Sequence, residues 1–271
     1  MAEHHKYYKI LREGMCHQGF QYALDISACI PGGMYFCRLQ DIPWWLDLYE
    51  DNAFIAEVHF LPQSNVERIG LRKFRVDWCI LRNSVPIPKF VKRYFEPQDL
   101  LRRSPFLIRY IEAPSLILQF YAVEEDPHSI EYIGTPHADV CDLAVQKNGL
   151  CIRYLRYHTL DLYKIAVAQN GLALVYVKEE FWTLAMYKEA IVELCLTAVS
   201  ENGLALQFVR TQTEEICKAA VGQNGYALIY VKPEFKTPEV CRIAWKENSR
   251  TLDFATDAFQ KFAGKRRFIL H

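Results

Sequence analysis

Residues 144–155, 166–177, 198–209 and 220–231 read AVQKNGLCIRYL, AVAQNGLALVYV, AVSENGLALQFV and AVGQNGYALIYV. Four near-copies of one dodecad constrain the fold more than any composition does, because a chain that repeats itself at short intervals folds by stacking like units. Each copy is anchored on an asparagine: Asn148, Asn170, Asn202 or Asn224. Before the anchor stand apolar residues at helical spacing, as in Val140, Cys141, Ala144 and Val145, or Ile216, Cys217, Ala220 and Val221. They form one helix face, and the small alanine lets a neighbouring helix come close. The Asn-Gly pair predicts the end of that helix, with Gly149, Gly171, Gly203 and Gly225 in the left-handed position beyond it. Thr135-Pro136 and Thr237-Pro238 predict helix starts, an N-cap followed by proline. A phosphate loop is not indicated: the glycine is single and no lysine follows it.

The same template finds degraded copies anchored on Ser104, Asp126 and Asn248. Six places beyond every anchor lies an aromatic residue: Tyr110, Tyr132, Tyr154, Tyr176, Phe208, Tyr230 and Phe254. Successive anchors are 22, 22, 22, 32, 22 and 24 residues apart, which predicts a solenoid whose units bury their apolar faces on one another. The second half of each unit, LALVYV and its relatives, reads as a short second helix. Its β-branched content leaves a helix–strand solenoid open. The ten extra residues between Asn170 and Asn202 predict a helix lengthened by two to three turns. Over roughly residues 95–258 the array resembles a short-repeat family with the pattern C-x-x-A-V-x-x-N-G-x-A-L. That family occurs in giant DNA viruses of amoebae and in amoeba-associated bacteria. The resemblance implies a fold and a viral source, and no chemistry.

Before about residue 95 the repeat is absent. Segments 6–11, 20–24, 34–39, 55–61 and 72–81 alternate or run apolar like short strands. Residues 41–49 (DIPWWLDLY) read as a helix, and 83–89 (NSVPIPK) as a turn-rich linker. The expected architecture is therefore α+β: a small antiparallel-sheet N-terminal domain over 1–92, then an α-helical solenoid of about 22-residue repeats with a C-terminal cap over 93–271. The stretch CIPGGMYFCRLQDIPWWL with the later IAEV and KFRVDWCIL is similar to an N-terminal module of other giant-virus repeat proteins. Its PGGMYF core distantly resembles the G-x-G-x-Y-F element of ADP-ribosyltransferases. That resemblance implies Tyr35 stacking on nicotinamide and Glu57 stabilising the ribosyl transition state, but the family's first-strand His or Arg has no clear counterpart. The plainer reading makes Gly32-Gly33 a tight turn before a buried strand.

Lysine plus arginine balances aspartate plus glutamate at 32 each, so global charge selects no partner. Locally, residues 62–110 hold eleven basic and four acidic side chains, whereas 111–145 hold seven acidic and no Lys or Arg. Arg72, Lys73, Arg75, Lys92, Arg93, Arg102 and Arg103 interleave with aromatic residues, a pattern that suits single-stranded nucleic acid or an acidic partner. The competing expectation is that they face water and pack against the acidic tract. The charged N-terminus lacks a signal-peptide core and no apolar run reaches membrane-spanning length, so an intracellular protein without a membrane partner is expected, in host cytoplasm or virion if viral. Nine cysteines fit a reducing compartment. His4, His5, Cys16, His17, Cys29 and Cys37 lie close in sequence but without C-x-x-C spacing, so no metal and no cofactor is expected. One repeat position is occupied by Arg109, Glu131, Arg153, Val175, Gln207, Ile229 and Asp253, which share no chemistry. That diversity argues against a ligand code repeated per unit, and Val175 and Ile229 suit a protein partner or self-association. The expected function is a non-enzymatic interaction or scaffold protein. Nucleic-acid binding through 68–109, or transferase activity of the N-terminal domain, stands as the alternative.

Overall fold

Strand β1 (Tyr7–Leu11) is buried on both faces, which is why its sequence, YYKIL, is nearly all apolar. The computed structural model describes residues 6–12, 16–17, 20–21, 23–25, 27–49, 52–184, 187–257, 259–261 and 263. It divides into two compact units, Met1–Thr135 and Pro136–His271. In the first, β1 pairs antiparallel with β4 (Ser27–Arg38) on one side and β5 (Phe54–Phe60) on the other. The strand β7 (Phe74–Pro86) pairs with both β5 and β4, so the sheet closes on itself like a small barrel. Strand β6 (Val66–Arg68) adds to the β7 edge, and β2 (Cys16–His17) and β3 (Phe20–Gln21) form a separate hairpin.

Alternation sorts the side chains. Leu11, Met34, Phe36, Ala56, Val58 and Val76 gather on one face of the sheet. Tyr8, Ile10 and Ile55 pack on the other against Ile42 and Leu46 and against α1 (Ile87–Tyr94) through Ile87 and Phe90. The first unit continues through α2 (Pro97–Leu101) and α3 (Leu116–Glu125), each followed by a 3-10 helix, Pro105–Tyr110 and Pro127–Tyr132.

Several N-terminal expectations are corrected. Gly32-Gly33 is not a turn before a strand but part of a bulge inside β4, where the register against β7 shifts between Cys29 and Met34. Gly33 sits at φ +78, and a Cβ there would lie 2.6 Å from Arg75 Cγ. Among the described residues of 20–24, Phe20–Gln21 form β3 and Leu24 makes an isolated bridge to Leu81, while 41–49 forms two 3-10 helices, Leu39–Trp44 and Leu46–Leu48. The stretch 83–89 is no linker: β7 runs to Pro86 and α1 begins at Ile87, with Pro88 in the first turn where a missing N–H costs nothing. The expected boundary at 92/93 falls near the end of α1, within the first unit.

The second unit alternates α-helix and 3-10 helix. Helices α4 (Ala138–Lys147), α5 (Leu160–Gln169), α7 (Lys188–Glu201), α8 (Glu214–Gln223) and α9 (Pro238–Glu247) pack each on the next, α6 (Glu179–Thr183) being a short insertion before α7. The intervening 3-10 helices, Gly149–Tyr154, Gly171–Tyr176, Gly203–Phe208, Gly225–Tyr230 and Ser249–Phe254, likewise pack in succession. The second half of each unit is thus 3-10 helix, neither strand nor α-helix. The insertion departs from its expectation: α7 has 14 residues against ten in α5 and α8, about one extra turn, and the rest forms α6. Thr135-Pro136 does not start α4, whose N-cap is His137, whereas Thr237 caps α9 as expected, its hydroxyl accepting from Val240 N–H. Thr159 and Thr213 cap α5 and α8 in the same way.

Each anchor asparagine joins the two helices. Asn170 donates its N–H to Ala166 O at 2.8 Å, closing α5, while its side chain accepts from Leu172 N–H at 3.0 Å, opening the 3-10 helix. It holds φ −151 and ψ 107, extended backbone that breaks the α-helix. The following glycines are not left-handed, since Gly33 alone among the described glycines has positive φ. Close approach requires them instead: a Cβ on Gly171 would fall 2.1 Å from the carbonyl oxygen of Ala198 in the next unit.

Candidate functional site

The basic residues of 62–110 come together less than their sequence spacing suggests. Six of the eleven face a carboxylate: Arg72 (Asp41), Arg75 (Glu67), Arg82 (Asp25), Lys92 (Glu112), Arg102 (Asp99) and Arg109 (Asp47). Of these carboxylates Glu112 alone belongs to the acidic 111–145 tract. The expected packing against that tract is present at the C-terminal end of the basic stretch, where α2 and the Pro105–Tyr110 3-10 helix pack on α3 and on Pro127–Tyr132, and Arg109 lies 5.0 Å from the Tyr132 ring centroid. Lys92 and Glu112 lie 2.7 Å apart, and the contact raises the Lys92 pKa and lowers that of Glu112. Arg93 lies over the ring of its neighbour Tyr94, 5.3 Å from the centroid.

Around Trp44 the fold does assemble a cluster. The guanidinium of Arg72 lies 3.7 Å and that of Arg103 5.1 Å from the Trp44 ring centroid. Buried Asp41 lies 3.1 Å from Arg38 and 3.9 Å from Arg72, holding Arg72 over the indole. A base stacking on Trp44 would have to displace Arg72. In the sequence Trp44 is only one residue of a helical segment; its place beside Arg72 and Arg103 depends on contacts across distant segments that no local pattern encodes.

Next to this cluster lies a cleft of about 260 Å³. The pairing of β1 with β4 is Tyr7↔Arg38 and Tyr8↔Cys37, and beyond it the strands part. One lip is formed by Tyr8, Lys9 and Ile10, the other by Tyr35, Phe36 and Cys37. Trp45, Leu48 and Tyr49 of the 3-10 segment close one side, and Lys73 joins the wall with its ammonium 3.8 Å from the Tyr35 ring centroid. Lys9 is 3 % exposed. Burial lowers its amine to a pKa of about 8, with Lys73 adding to the effect and the thiols of Cys37 and Cys79 opposing it. Burial also raises Cys37 to about 12 and raises Tyr8 and Tyr49. Sequence reasoning misses Lys9 because alternation marks a lysine in a strand as outward-facing. Here both strand faces are covered.

Tyr35 therefore lines a cleft, but Glu57 is not among the residues that line it. Glu57 on β5 accepts from Asn83 at 2.8 Å and contacts His59 and Lys6. Burial would raise its carboxyl, but these three partners outweigh that and hold it below the usual range. The Tyr35 face that the transferase resemblance assigns to nicotinamide carries the Lys73 ammonium. Of the cysteine–histidine grouping, His4 and His5 and the side chains of Cys16, His17 and Cys29 lie outside the described residues. Among the described residues no three His, Cys, Asp or Glu side chains gather as metal ligands. Nor does any helix among the described residues have the length and apolarity to cross a membrane.

In the second unit the shared repeat position is solvent-facing throughout: Arg153, Val175, Gln207, Ile229 and Asp253 are all exposed. Val175 and Ile229 are each 47 % exposed, a high value for apolar side chains flanked by buried Leu174 and Leu228. The buried cysteines of this unit, Cys151, Cys195, Cys217 and Cys241, are packing residues, and burial raises Cys195 to about 12 and Cys217 to about 11. Glutamines preceding two anchors also escape the sequence pattern. Gln169 accepts from Gly149 N–H and donates to Lys147 O, and Gln223 does the same for Gly203 and Glu201. The recurring QNG triplet is their only signal.

The family described as a domain of unknown function (DUF4116) matches residues 192–236, a span from within α7 through the Gly225–Tyr230 3-10 helix. No curated protein and no solved structure matches the chain.

Proposed function

We propose that the chain is a non-enzymatic interaction or scaffold protein, in which the helical repeats form an α-solenoid that binds another protein, or a second copy of itself, through the exposed row containing Val175 and Ile229. The observation that carries this reading is the division of labour within each unit. Apolar residues, the asparagine and the glycine are spent on neighbouring units, while one position per unit stays exposed and varies from cation to anion to aliphatic. Apolar side chains held at the surface by a rigid backbone suit a desolvated protein contact.

The nucleic-acid alternative is weakened by the carboxylates facing six of the basic residues, since phosphate binding would first have to break those pairs. The transferase alternative is weakened by the cation over Tyr35 and by the distribution of Tyr35 and Glu57. The test is affinity capture from the cell in which the protein occurs, comparing wild type with Val175→Asp/Ile229→Asp and with Arg102→Glu/Arg103→Glu. The expected result is a stoichiometric partner, or a second copy, lost only with the first pair. Equal capture by all three, or salt-sensitive nucleic acid lost only with the arginine pair, would overturn the reading.

A further inference from the structure

A lysine whose side chain is held in a protein interior is costly, and the cost is tolerated where the amine is used or well compensated. Lys9 stands in the wall of the cleft where β1 and β4 part, 3 % exposed, with a second ammonium, Lys73, in the same wall. Desolvation and a nearby cation are conditions that turn lysine into a nucleophile near neutral pH, and with its pKa lowered to about 8 part of Lys9 is unprotonated there. The rest of the wall is aromatic and aliphatic, with Phe36, Trp45, Leu48 and Tyr49 facing the same space. At about 260 Å³ the cleft falls below the range of drug-sized sites, so its ligand is small.

We propose that Lys9 captures small 2-oxo acids as a reversible imine, with the ligand carboxylate beside the Lys73 ammonium and its side chain against the aromatic wall. A 2-oxo acid meets the features of the cleft together: a carbonyl carbon for the amine, an anion for Lys73 and an apolar remainder for the ring-lined side. The neutral amine of Lys9 adds its lone pair to the keto carbon, and the carbonyl oxygen takes up the proton that nitrogen sheds. The carbinolamine then loses its hydroxyl together with the remaining N–H proton as water, the nitrogen lone pair forming the C=N bond, and the addition of water reverses the sequence. No oxidant or reductant is consumed. This chemistry lies in the N-terminal unit and does not depend on the partner-binding row of the helical unit.

The test is borohydride trapping on the full chain. Wild-type protein is incubated with phenylpyruvate or pyruvate, reduced with sodium borohydride, and read by intact mass and peptide mapping. One adduct per chain, mapped to Lys9, is expected at concentrations where the surface lysines stay unmodified. Lys9→Met is expected to lose it. Lys73→Met is expected to retain labelling by the neutral probe phenylacetaldehyde while losing about tenfold of the preference for phenylpyruvate, the size of one charge contact. Adducts spread evenly over many lysines, labelling that persists in Lys9→Met, or an unchanged acid preference in Lys73→Met would each overturn the proposal. Because the wild-type map alone can refute it, the proposal stays open to test even if one variant fails to fold.

Discussion

Gly171 shows how a single residue can be required for a reason other than the one its neighbours suggest. An Asn-Gly pair after a helix points to a left-handed cap, yet the structure demands glycine because the Ala198 carbonyl of the next unit occupies the space of a Cβ. Alanine at Gly171 forces backbone against backbone and is expected to cost about 3 kcal/mol, read as a drop in urea midpoint with unchanged slope. Gly134, where an added Cβ would meet nothing within 4 Å, is the control: Gly134→Ala should stay within about 1 kcal/mol of wild type. Equal losses at both would point back to backbone conformation. Lys9 makes a second prediction at this scale. Its pKa falls from 10.5 to about 8 on folding. Below pH 8 both states are protonated and the native state bears the whole cost of the buried ammonium, roughly 3 kcal/mol at 1.36 kcal/mol per unit. Between pH 8 and 10.5 the native state sheds a proton that the unfolded chain keeps, and above 10.5 the cost is gone. Cys37, Lys73 and Cys79 are among the groups acting on this amine, so the comparison should be made against a variant that leaves them in place. Lys9→Met should therefore be more stable than wild type at pH 7, with the advantage shrinking as pH rises from 8 to 10.5 in paired denaturation curves. A constant advantage across that range would show that packing, not charge, is responsible.

Between elements, the same backbone problem is solved by different side chains. Tyr163 reaches Tyr176 O and Lys178 N–H with its hydroxyl, while two units later Gln212 reaches Tyr230 O and Lys232 N–H with its amide. This explains how Tyr163 can stand where Cys217 stands two units later: the polar contact moves to Gln212 and leaves a small thiol to fill the core. Gln223 fastens one unit to the next by accepting from Gly203 N–H at 2.6 Å. Gln223→Ala strands that buried N–H and should cost about 1–2 kcal/mol, with faster hydrogen exchange at Gly203 and little change at Gly225. Uniform acceleration across the helical unit would instead indicate general weakening. Such contacts mark the limit of sequence reading. Helix positions, anchors and register are legible from Val140, Ala144, Asn148 and their counterparts, because helical periodicity is local and recurs in every unit. The 3-10 form of the second halves is not, because LALVYV is compatible with several periods, and only packing on the next unit selects one. In the N-terminal unit the strands are visible as apolar runs, but closure of β4 onto β7 and the parting of β1 from β4 arise from pairings between distant segments. The cleft and Lys9 are therefore invisible in sequence.

Over the molecule as a whole, the two units use their residues in opposite ways. The N-terminal unit concentrates chemistry-bearing side chains, Lys9, Tyr35, Lys73 and the Arg72–Trp44–Arg103 cluster, around one closed sheet. The helical unit distributes its exposed positions one per repeat and keeps its interior uniform. If that unit is the proposed solenoid, its stability is a sum over repeats and their interfaces, and whole repeats can be removed without loss of register. Excising residues 203–224 joins Asn202 to Gly225 and restores an Asn-Gly junction between α7 and the Gly225–Tyr230 3-10 helix. The shortened protein should remain helical and unfold cooperatively at a lower midpoint, having lost one α-helix, one 3-10 helix and one interface. Excising residues 203–213 instead joins α7 directly to α8 and removes the 3-10 layer between them. That variant should lose cooperative unfolding of the helical unit. Circular dichroism and urea melts of the two deletions side by side decide the matter: stacking of independent layers requires the larger excision to be the milder one, and a globular helical domain with a single core would show the reverse.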